Sequence, residues 1–501
     1  LLLGAVILLG CLPQWAIPDW HGTEGRRVQI VQEMLRDGDW LVPTLGGEPT
    51  WAKPPLHYWV LAGFAKSFGS SPWVLRLPAI LSVLAAALLA QRLLARWFDE
   101  RAGWVVAFGI ACAPMVVHEW PTAEIDPWFA SCTAMSIWTL ATGVARERRG
   151  LLVLSGLLGG LALLQKGPPY FLFAIGAYLV WWRRRGCRGW WLHFGPLLAT
   201  PLLWLVPLLT LRTLPDEVAG IAGEESIGRV LSYSWAHVAA IPGFWLRAAT
   251  IQLPFVLWCF WEWRGARDAR MDAADLTLRM CSGAAVLAIV LLTFFPGRPT
   301  RYLLPNVLLF TFAVGPAVAH FAAQPRELGA FSQRLLGALG LGAATLLVAL
   351  PFVPRLPLAA AGVALALALA PRLVRTPRQL VLFCLALPLL ASWTVGWQRS
   401  FEWPLGNRAR VAAGELLRHE LEARGAIDEL VWHGHLEAPL LLAAGLLPDG
   451  DEFHRRAPTA RWVLHERADR PPPHLGEYVE RLRLCLPKET FVLRERSAAP
   501  R

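Results

Sequence analysis

The chain has 501 residues, of which 55% are apolar and only 17% charged, with a formal net charge of +11 and a mean hydropathy of +0.42. A soluble fold of this size needs about a quarter of its residues charged, and 26 Trp against 6 Tyr favours the membrane–water boundary. Soluble enzymes, disordered chains and coiled coils are thereby excluded, and an all-α polytopic membrane protein is implied.

A helix needs about 20 apolar residues to cross the hydrocarbon layer. On that ruler spans fall near 1–17, 73–97, 103–120, 126–145, 151–165, 167–182, 190–211, 244–263, 277–296, 302–322, 335–352, 354–371 and 378–397, about thirteen crossings. The first opens at Leu1 inside an apolar run, without Met or a basic flank, and reads as a transmembrane helix missing its start rather than a signal peptide. The connection at roughly 18–72 is too long for a simple loop. Within it, EGRRVQIVQEMLR at 24–36 sets Val28, Val31 and Leu35 on one helical face with Ile30 and Met34 beside them, predicting a short amphipathic helix in the interface plane.

Further along, Gly167-Pro168-Pro169 splits the 151–182 stretch, and Pro351 with Pro354 separates the 335–371 pair. A single kinked span at either place would move every later loop to the other side. A second long connection covers roughly 212–243. From about 400 to 501 the chain turns polar: Val411, Leu416, Leu417 and Leu421 predict a helix, and Arg461–His465 with Thr490–Arg494 predict short strands. The expected division is a transmembrane domain at 1–399 and a small soluble α/β domain at 400–501.

Loop charge tests the count. Arg96 and Arg101, then Arg146, Arg148 and Arg149, then Arg183, Arg184, Arg185 and Arg188 occupy alternate loops, and the parity continues through Arg264, Arg267 and Arg270, Arg326 and Arg334, and Arg372, Arg375 and Arg378. The positive-inside rule puts this set in the cytoplasm. Both long connections and the polar tail then face outward. Seven of the eight cysteines lie in or beside apolar segments and Cys485 stands alone in the tail, so no disulfide framework is expected.

Outer loops should be poor in cations, yet Lys53, Lys166, Arg229, Arg298 and Arg301 sit there at the membrane boundary. Singly, such side chains snorkel to headgroups. As a group they point to a shared pocket for a phosphate or pyrophosphate, to which guanidinium and ammonium groups make the strongest hydrogen bonds. Two acids accompany them. Glu24 follows Thr23 at the start of the interfacial helix, where an acid complements the helix dipole. Asp126, followed by Pro127, fits an N-cap with proline at the first helical position. Either carboxylate, if within hydrogen-bond reach, could instead deprotonate an acceptor hydroxyl.

The stretches Glu24-Gly-Arg26-Arg27, Glu33-Met34-Leu35, Gly38-Asp39-Trp40-Leu41-Val42-Pro43 and Lys53-Pro54-Pro55-Leu56-His57-Tyr58-Trp59 resemble the first outer loop of membrane glycosyltransferases that use polyprenyl-phosphate sugars. These include the aminoarabinose transferase of lipid A modification and, more distantly, protein O-mannosyltransferases. The likeness recurs at Asp126-Pro127, Gln165-Lys166-Gly167, Glu225-Ser-Ile-Gly-Arg229 and Gly297-Arg298-Pro-Thr-Arg301-Tyr302. Beyond residue 310 it is one of topology alone.

The resemblance implies a GT-C fold, a helical bundle with interfacial helices framing a cavity that opens outward. It implies transfer of a sugar, with inversion, from an undecaprenyl-phosphate carrier to an outer-face acceptor such as lipid A, another glycan or a protein. Under it, Lys53, Arg229 and Tyr302 match residues that contact the carrier phosphate, and Lys166 and Asp126 match pocket residues. The family usually has Asp-Glu where this chain has Thr23-Glu24, which leaves Glu24 as the acid of that pair. A Glu–His metal pair of the lipid A enzyme reads Ala52 and Ser226 here, and no convincing motif for a divalent cation is present.

Other signals are weaker. His21, His118 and Glu119 lie near the outer face, where they could meet Glu24, and Trp432-His433-Gly-His435 could bind a metal, although two His in a polar tail are usually not ligands. No Walker loop or dinucleotide fingerprint occurs, and the basic clusters fit loops rather than a nucleic-acid surface. Two other classes stay open on residues alone: a polyisoprenoid-lipid transporter using the same cations without chemistry, and a non-catalytic assembly subunit tolerant of Thr23.

Overall fold

The computed structural model describes residues 1–211 apart from 16, 18, 19, 21, 22, 46, 52 and 187, then 235–246, 248, 276–295, 300–349, 358–390 apart from 388, 414–425, 430–433, 462–466, 478–485 and 490–496. Two compact units divide the chain. One comprises Leu1–Ala16, Ala52–Leu56 and Arg76–Gln398; the other comprises Ile17–Trp51, His57–Leu75 and Arg399–Arg501.

In chain order the elements open with α1 (Leu2–Trp15), α2 (Glu24–Asp37), the hairpin β1 (Thr44–Leu45) and β2 (Glu48–Pro49), α3 (Leu56–Phe68) and α4 (Pro72–Trp97). The expected span at 103–120 is two helices, α5 (Glu100–Ala111) and α6 (Pro114–Glu119). Pro114 has no N–H to donate and its ring would clash with the carbonyl four residues back, so the helix stops at Cys112 and restarts with proline in its first turn. Next come α7 (Ile125–Ala145), α8 (Arg149–Lys166), α9 (Pro169–Arg185) and α10 (Trp190–Leu211). The 151–182 stretch is therefore two helices. Gly167 at φ 82° makes the break, a conformation an L side chain resists.

The series continues with α11 (Trp235–Ala239), α12 (Leu276–Thr293), a 3₁₀ turn at Thr300–Leu303 leading into α13 (Leu304–Ala322), α14 (Ala330–Ala349), α15 (Leu358–Leu373) and α16 (Pro377–Leu387). Among the described residues, five helical stretches are long and apolar enough to cross a membrane: Pro72–Trp97, Arg149–Lys166, Trp190–Leu211, Leu276–Thr293 and Arg301–Ala322. Most of the expected 244–263 span, the end of the 378–397 span, most of the 212–243 connection and Val411 lie outside the described residues.

The first unit is organised around α7. This helix packs against α8, α9, α12 and α13 and is buried on all sides, so its Ser131, Thr133, Ser136, Thr139 and Thr142 lie inside protein rather than lipid. Its hydroxyls carry two interhelical nodes. The Ser136 hydroxyl donates to the Ser155 carbonyl at 2.7 Å and meets the Tyr170 hydroxyl at 2.8 Å. Tyr178 meets Tyr170 at 3.3 Å and His193 Nε2 at 2.8 Å, and His193 Nδ1 meets the Ser155 hydroxyl at 2.7 Å. Four helices, α7 to α10, are pinned by this buried chain, each link contributing about 0.6–2 kcal/mol in a membrane. At the second node, Trp120 Nε1 donates to the Ser131 hydroxyl at 3.0 Å, which also contacts the Ser82 hydroxyl at 3.0 Å.

Where helices touch most closely, glycine removes the side chain. A Cβ on Gly156 of α8 would collide with the His193 carbonyl oxygen of α10, and one on Gly176 of α9 with the Gly283 carbonyl oxygen of α12. With no hydrophobic driving force between lipid-bathed helices, such backbone approach is a main source of association.

In the second unit, α2 spans Glu24–Asp37 against the expected 24–36 and ends on Gly38 at φ 72°, whose N–H returns to the Met34 carbonyl. Protein covers most of its circumference, because Glu24, Gln29 and Glu33 are buried along with Val28, Ile30, Val31 and Met34. Glu33 anchors the hairpin to this helix. Its carboxylate accepts from Gln29 Nε2 at 2.8 Å, the Thr44 hydroxyl at 2.9 Å and the Gly47 N–H at 3.1 Å. Arg27 donates to the Tyr58 hydroxyl at 3.0 Å, and Trp59 Nε1 to the Trp40 carbonyl at 2.6 Å.

The tail holds a helix at 414–423, with Leu417 and Leu421 buried, and strands β3 (Leu430–His433), β4 (Trp462–Glu466), β5 (Tyr478–Cys485) and β6 (Thr490–Arg496). They pair in the order β3-β4-β6-β5, with β3 parallel to β4 and the rest antiparallel.

The glycine contacts give a direct test. Gly156→Ala should lower the apparent unfolding temperature in detergent, by an overpacking cost of about 1–3 kcal/mol. Gly150→Ala on the same helix, where a Cβ meets nothing within 4 Å, should leave it unchanged. Equal melting curves would remove the α8–α10 approach as a source of stability.

Candidate active site

Asp126 lies in the first turn of α7, two residues after the N-cap position Glu124, which makes no side-chain capping bond. The N-cap role expected for Asp126 is therefore not the one it plays, although a carboxylate in a first turn still gains from the helix dipole. Its side chain, 11% exposed, turns toward two cations instead. Oδ1 accepts a hydrogen bond from Lys166 Nζ, at the C-terminal end of α8. Oδ2 faces Arg301 Nε at 3.4 Å, an ion pair from the 3₁₀ turn before α13.

Lys166 is 12% exposed and its ammonium also stands 4.5 Å from the centre of the Tyr302 ring and 5.2 Å from that of Phe129. A desolvated ammonium over aromatic faces gains roughly 2 kcal/mol. Arg301 is the open side of the cluster, with a side chain 39% exposed. One carboxylate between two cations leaves a net positive charge beside a path to solvent. Charge-assisted hydrogen bonding suits such a site to an anion.

Four of the residues singled out by sequence, Asp126, Lys166, Arg301 and Tyr302, thus converge. The local fold explains how. The Ser131 hydroxyl reaches back to the Pro127 carbonyl at 3.2 Å, so the node with Trp120 and Ser82 braces the first turn of α7. Gly167 ends α8 directly after Lys166. Phe129, Trp120 and Ser131 were not anticipated; the available signal was Phe129 standing one helical turn after Asp126, on the same face.

Lys53 is half-buried in the segment Ala52–Leu56 of the first unit. Glu24 belongs to the second unit, as the first residue of α2, and is fully buried. His118 and Glu119 contact each other at 3.2 Å. Arg229 and Arg298 lie outside the described residues, as do His21, Ala52, Ser226 and His435.

Known proteins resemble this chain in sequence and in fold. Residues 52–210 match the family model described as dolichyl-phosphate-mannose-protein mannosyltransferase. The crystal structure of ArnT from Cupriavidus metallidurans bound to undecaprenyl phosphate superposes with a TM-score of 0.74 at 19% identity, covering 100% of this chain and 99% of that one. Its apo state gives 0.71 at 18% identity. The chain is a multi-pass membrane protein with the GT-C fold, related to the polyprenyl-phosphate glycosyltransferases that its sequence resembles.

Among individual relatives, an undecaprenyl phosphate-alpha-4-amino-4-deoxy-L-arabinose arabinosyl transferase of Pseudomonas savastanoi pv. phaseolicola is 28% identical over 351 residues, 65% of this chain and 62% of its own length. The protein of the same description from Pseudomonas aeruginosa strain LESB58 is 34% identical over 176 residues, 33% of this chain and 32% of its own length. The chain thus spans less than two thirds of the length of these relatives.

The cluster predicts coupling. Asp126→Asn or Lys166→Met alone should destabilise the protein by about 3–5 kcal/mol, since each takes from a buried charge its nearest partner. The double substitution should recover part of that loss in detergent melting experiments. Strictly additive losses would mean that the two side chains do not depend on each other.

Proposed function

We propose that the chain is a bacterial inner-membrane glycosyltransferase that moves a sugar from a polyprenyl-phosphate carrier to an acceptor on the outer face, with inversion. The observation that carries this reading is the Asp126–Lys166–Arg301–Tyr302 cluster, a positively charged site at the end of α8 and the beginnings of α7 and α13. The relatives named for undecaprenyl-phosphate-linked aminoarabinose support a carrier of the same chemistry.

In the proposed reaction the acceptor oxygen attacks the anomeric carbon while the bond from that carbon to the carrier phosphate oxygen breaks. The electron pair leaves with the phosphate, which needs no proton at neutral pH when cations stabilise its charge. Lys166 and Arg301 do this, joined by Lys53, Arg229, Arg298 and the Tyr302 hydroxyl. Both oxygens of Asp126 face cations, so Asp126 holds those cations in place. The proton of the attacking hydroxyl is assigned to Glu24. An acceptor that is already anionic, such as a lipid A phosphate, needs no base, and Glu24 then orients it.

Lipid A is the acceptor that the resemblance of the first outer loop implies; another envelope glycan or a protein would offer a hydroxyl instead. The proposed topology places the first outer loop and the 400–501 domain in the periplasm, facing that acceptor.

Glu24→Gln should lower transfer from an undecaprenyl-phosphate sugar by about 10²–10⁴-fold, the usual worth of a positioned base, while leaving the Kd for undecaprenyl phosphate unchanged. Wild-type turnover would remove Glu24 from the mechanism. Lys166→Ala with Arg301→Ala should instead weaken carrier binding, and unchanged affinity would discredit the phosphate site. Mass spectrometry of envelope glycolipids and glycoproteins from a deletion strain would name the sugar and the acceptor.

A further inference from the structure

A second basic site lies at the other end of α7. The adjoining α8, long and apolar enough to cross a membrane, runs 18 residues from Arg149 beside this site to Lys166 of the Asp126 cluster, about 27 Å at 1.5 Å per residue and close to the thickness of the hydrocarbon layer. Here α4 ends at Trp97, α8 begins at Arg149 and α9 ends at Arg185. Three guanidinium groups converge on the Trp97 indole: Arg96 at 5.3 Å from the ring centre, Arg146 at 5.7 Å and Arg148 at 5.5 Å. An indole has two faces, so at least two of the three share one.

The arrangement is held rather than incidental. Arg146 also donates to the Trp97 carbonyl at 3.4 Å and stands 5.5 Å from the Phe98 ring. The turn that carries Arg146 and Arg148 is fastened by their backbone N–H groups, to the Thr142 carbonyl and the Gly143 carbonyl respectively, both at 2.9 Å. Glu147, at φ 55°, is the acid of that turn, and its carboxylate is engaged by Arg185 at 3.1 Å. Arg96 and Arg148 are exposed and make no ion pair among the described residues.

Like charges gathered on one ring repel, and the electron-rich ring face offsets only part of that repulsion. An anion that bridges them removes the remainder. Guanidinium forks match the paired oxygens of a phosphate. The position selects the source. With α8 crossing the membrane, its Arg149 end and the cluster beside it fall at headgroup depth, and Trp104 of α5 and Leu154 of α8, each within a few residues of the start of its helix, are exposed apolar side chains.

We infer that Arg96, Arg146, Arg148 and Trp97 form a binding site for the phosphate of an anionic phospholipid in the leaflet opposite the Asp126 cluster. The site is independent of the proposed transfer reaction.

The test uses the full chain in nanodiscs of phosphatidylethanolamine with added phosphatidylglycerol, followed by native mass spectrometry of retained lipid. Wild type should retain phosphatidylglycerol selectively. Arg96→Gln with Arg148→Gln should lower that selectivity by about tenfold or more. Arg183→Gln with Arg184→Gln removes the same charge from the exposed end of α9 and should leave it unchanged. Equal loss in both double variants would reduce the effect to a diffuse surface field, and full retention in the first would dismiss the site. Displacement of the lipid by millimolar inorganic phosphate would reassign the site to a soluble anion and overturn the inference. A circular dichroism melt that matches wild type keeps a loss of lipid from being a loss of fold.

Discussion

A carboxylate as buried as that of Asp126 is sustained by the charges beside it. Desolvation opposes an isolated charge strongly, and here the opposition is met by Lys166 on one oxygen and Arg301 on the other. That requirement draws together the start of one helix, the end of the next and a 3₁₀ turn from far along the chain. The same ion pairs that stabilise the acid give the cations a fixed position and leave the ensemble positive. The local structure and the surplus of positive charge are therefore two consequences of one charge balance.

The scaffold around it uses the solvent properties of the membrane. Lipid offers no hydrogen bonds, so polar side chains in the bundle must find each other. The Ser136–Tyr170–Tyr178–His193–Ser155 chain does so across four helices. Close approach at Gly156 and Gly176 supplies packing where burial of apolar surface contributes little between helices already bathed in lipid. α7 is the clearest product of both. Its run of small hydroxyl side chains is unsuited to lipid and is surrounded by protein.

Much of the helical pattern was legible in the sequence, because hydropathy and breakers act locally. α2, α4, α7, α10 and α12 fall within a few residues of their expected positions, and the Gly167-Pro168-Pro169 break separates α8 from α9 as expected. The misses have different causes. α3 and the β1–β2 hairpin lie in the first outer loop, where only the helix at 24–36 was placed, and the hairpin depends on Glu33 of α2 for its anchoring, a contact that no local pattern displays. The division of 103–120 at Pro114 was hidden by unbroken apolarity on both sides. In the tail, β5 carries Glu480, Arg481 and Arg483 among its apolar residues and was not expected; its place comes from pairing with β6.

By itself the sequence determined that the chain crosses a membrane and where most helices run. Those properties follow from transfer free energies summed over neighbouring residues. Only the tertiary structure decided that Asp126 answers Lys166 and Arg301 rather than capping its own helix, that Phe129 and Tyr302 frame the ammonium, and that three arginines meet on Trp97. Charge pairing and ring contact depend on distance in space, and residues far apart in the chain acquire that distance only when the helices pack.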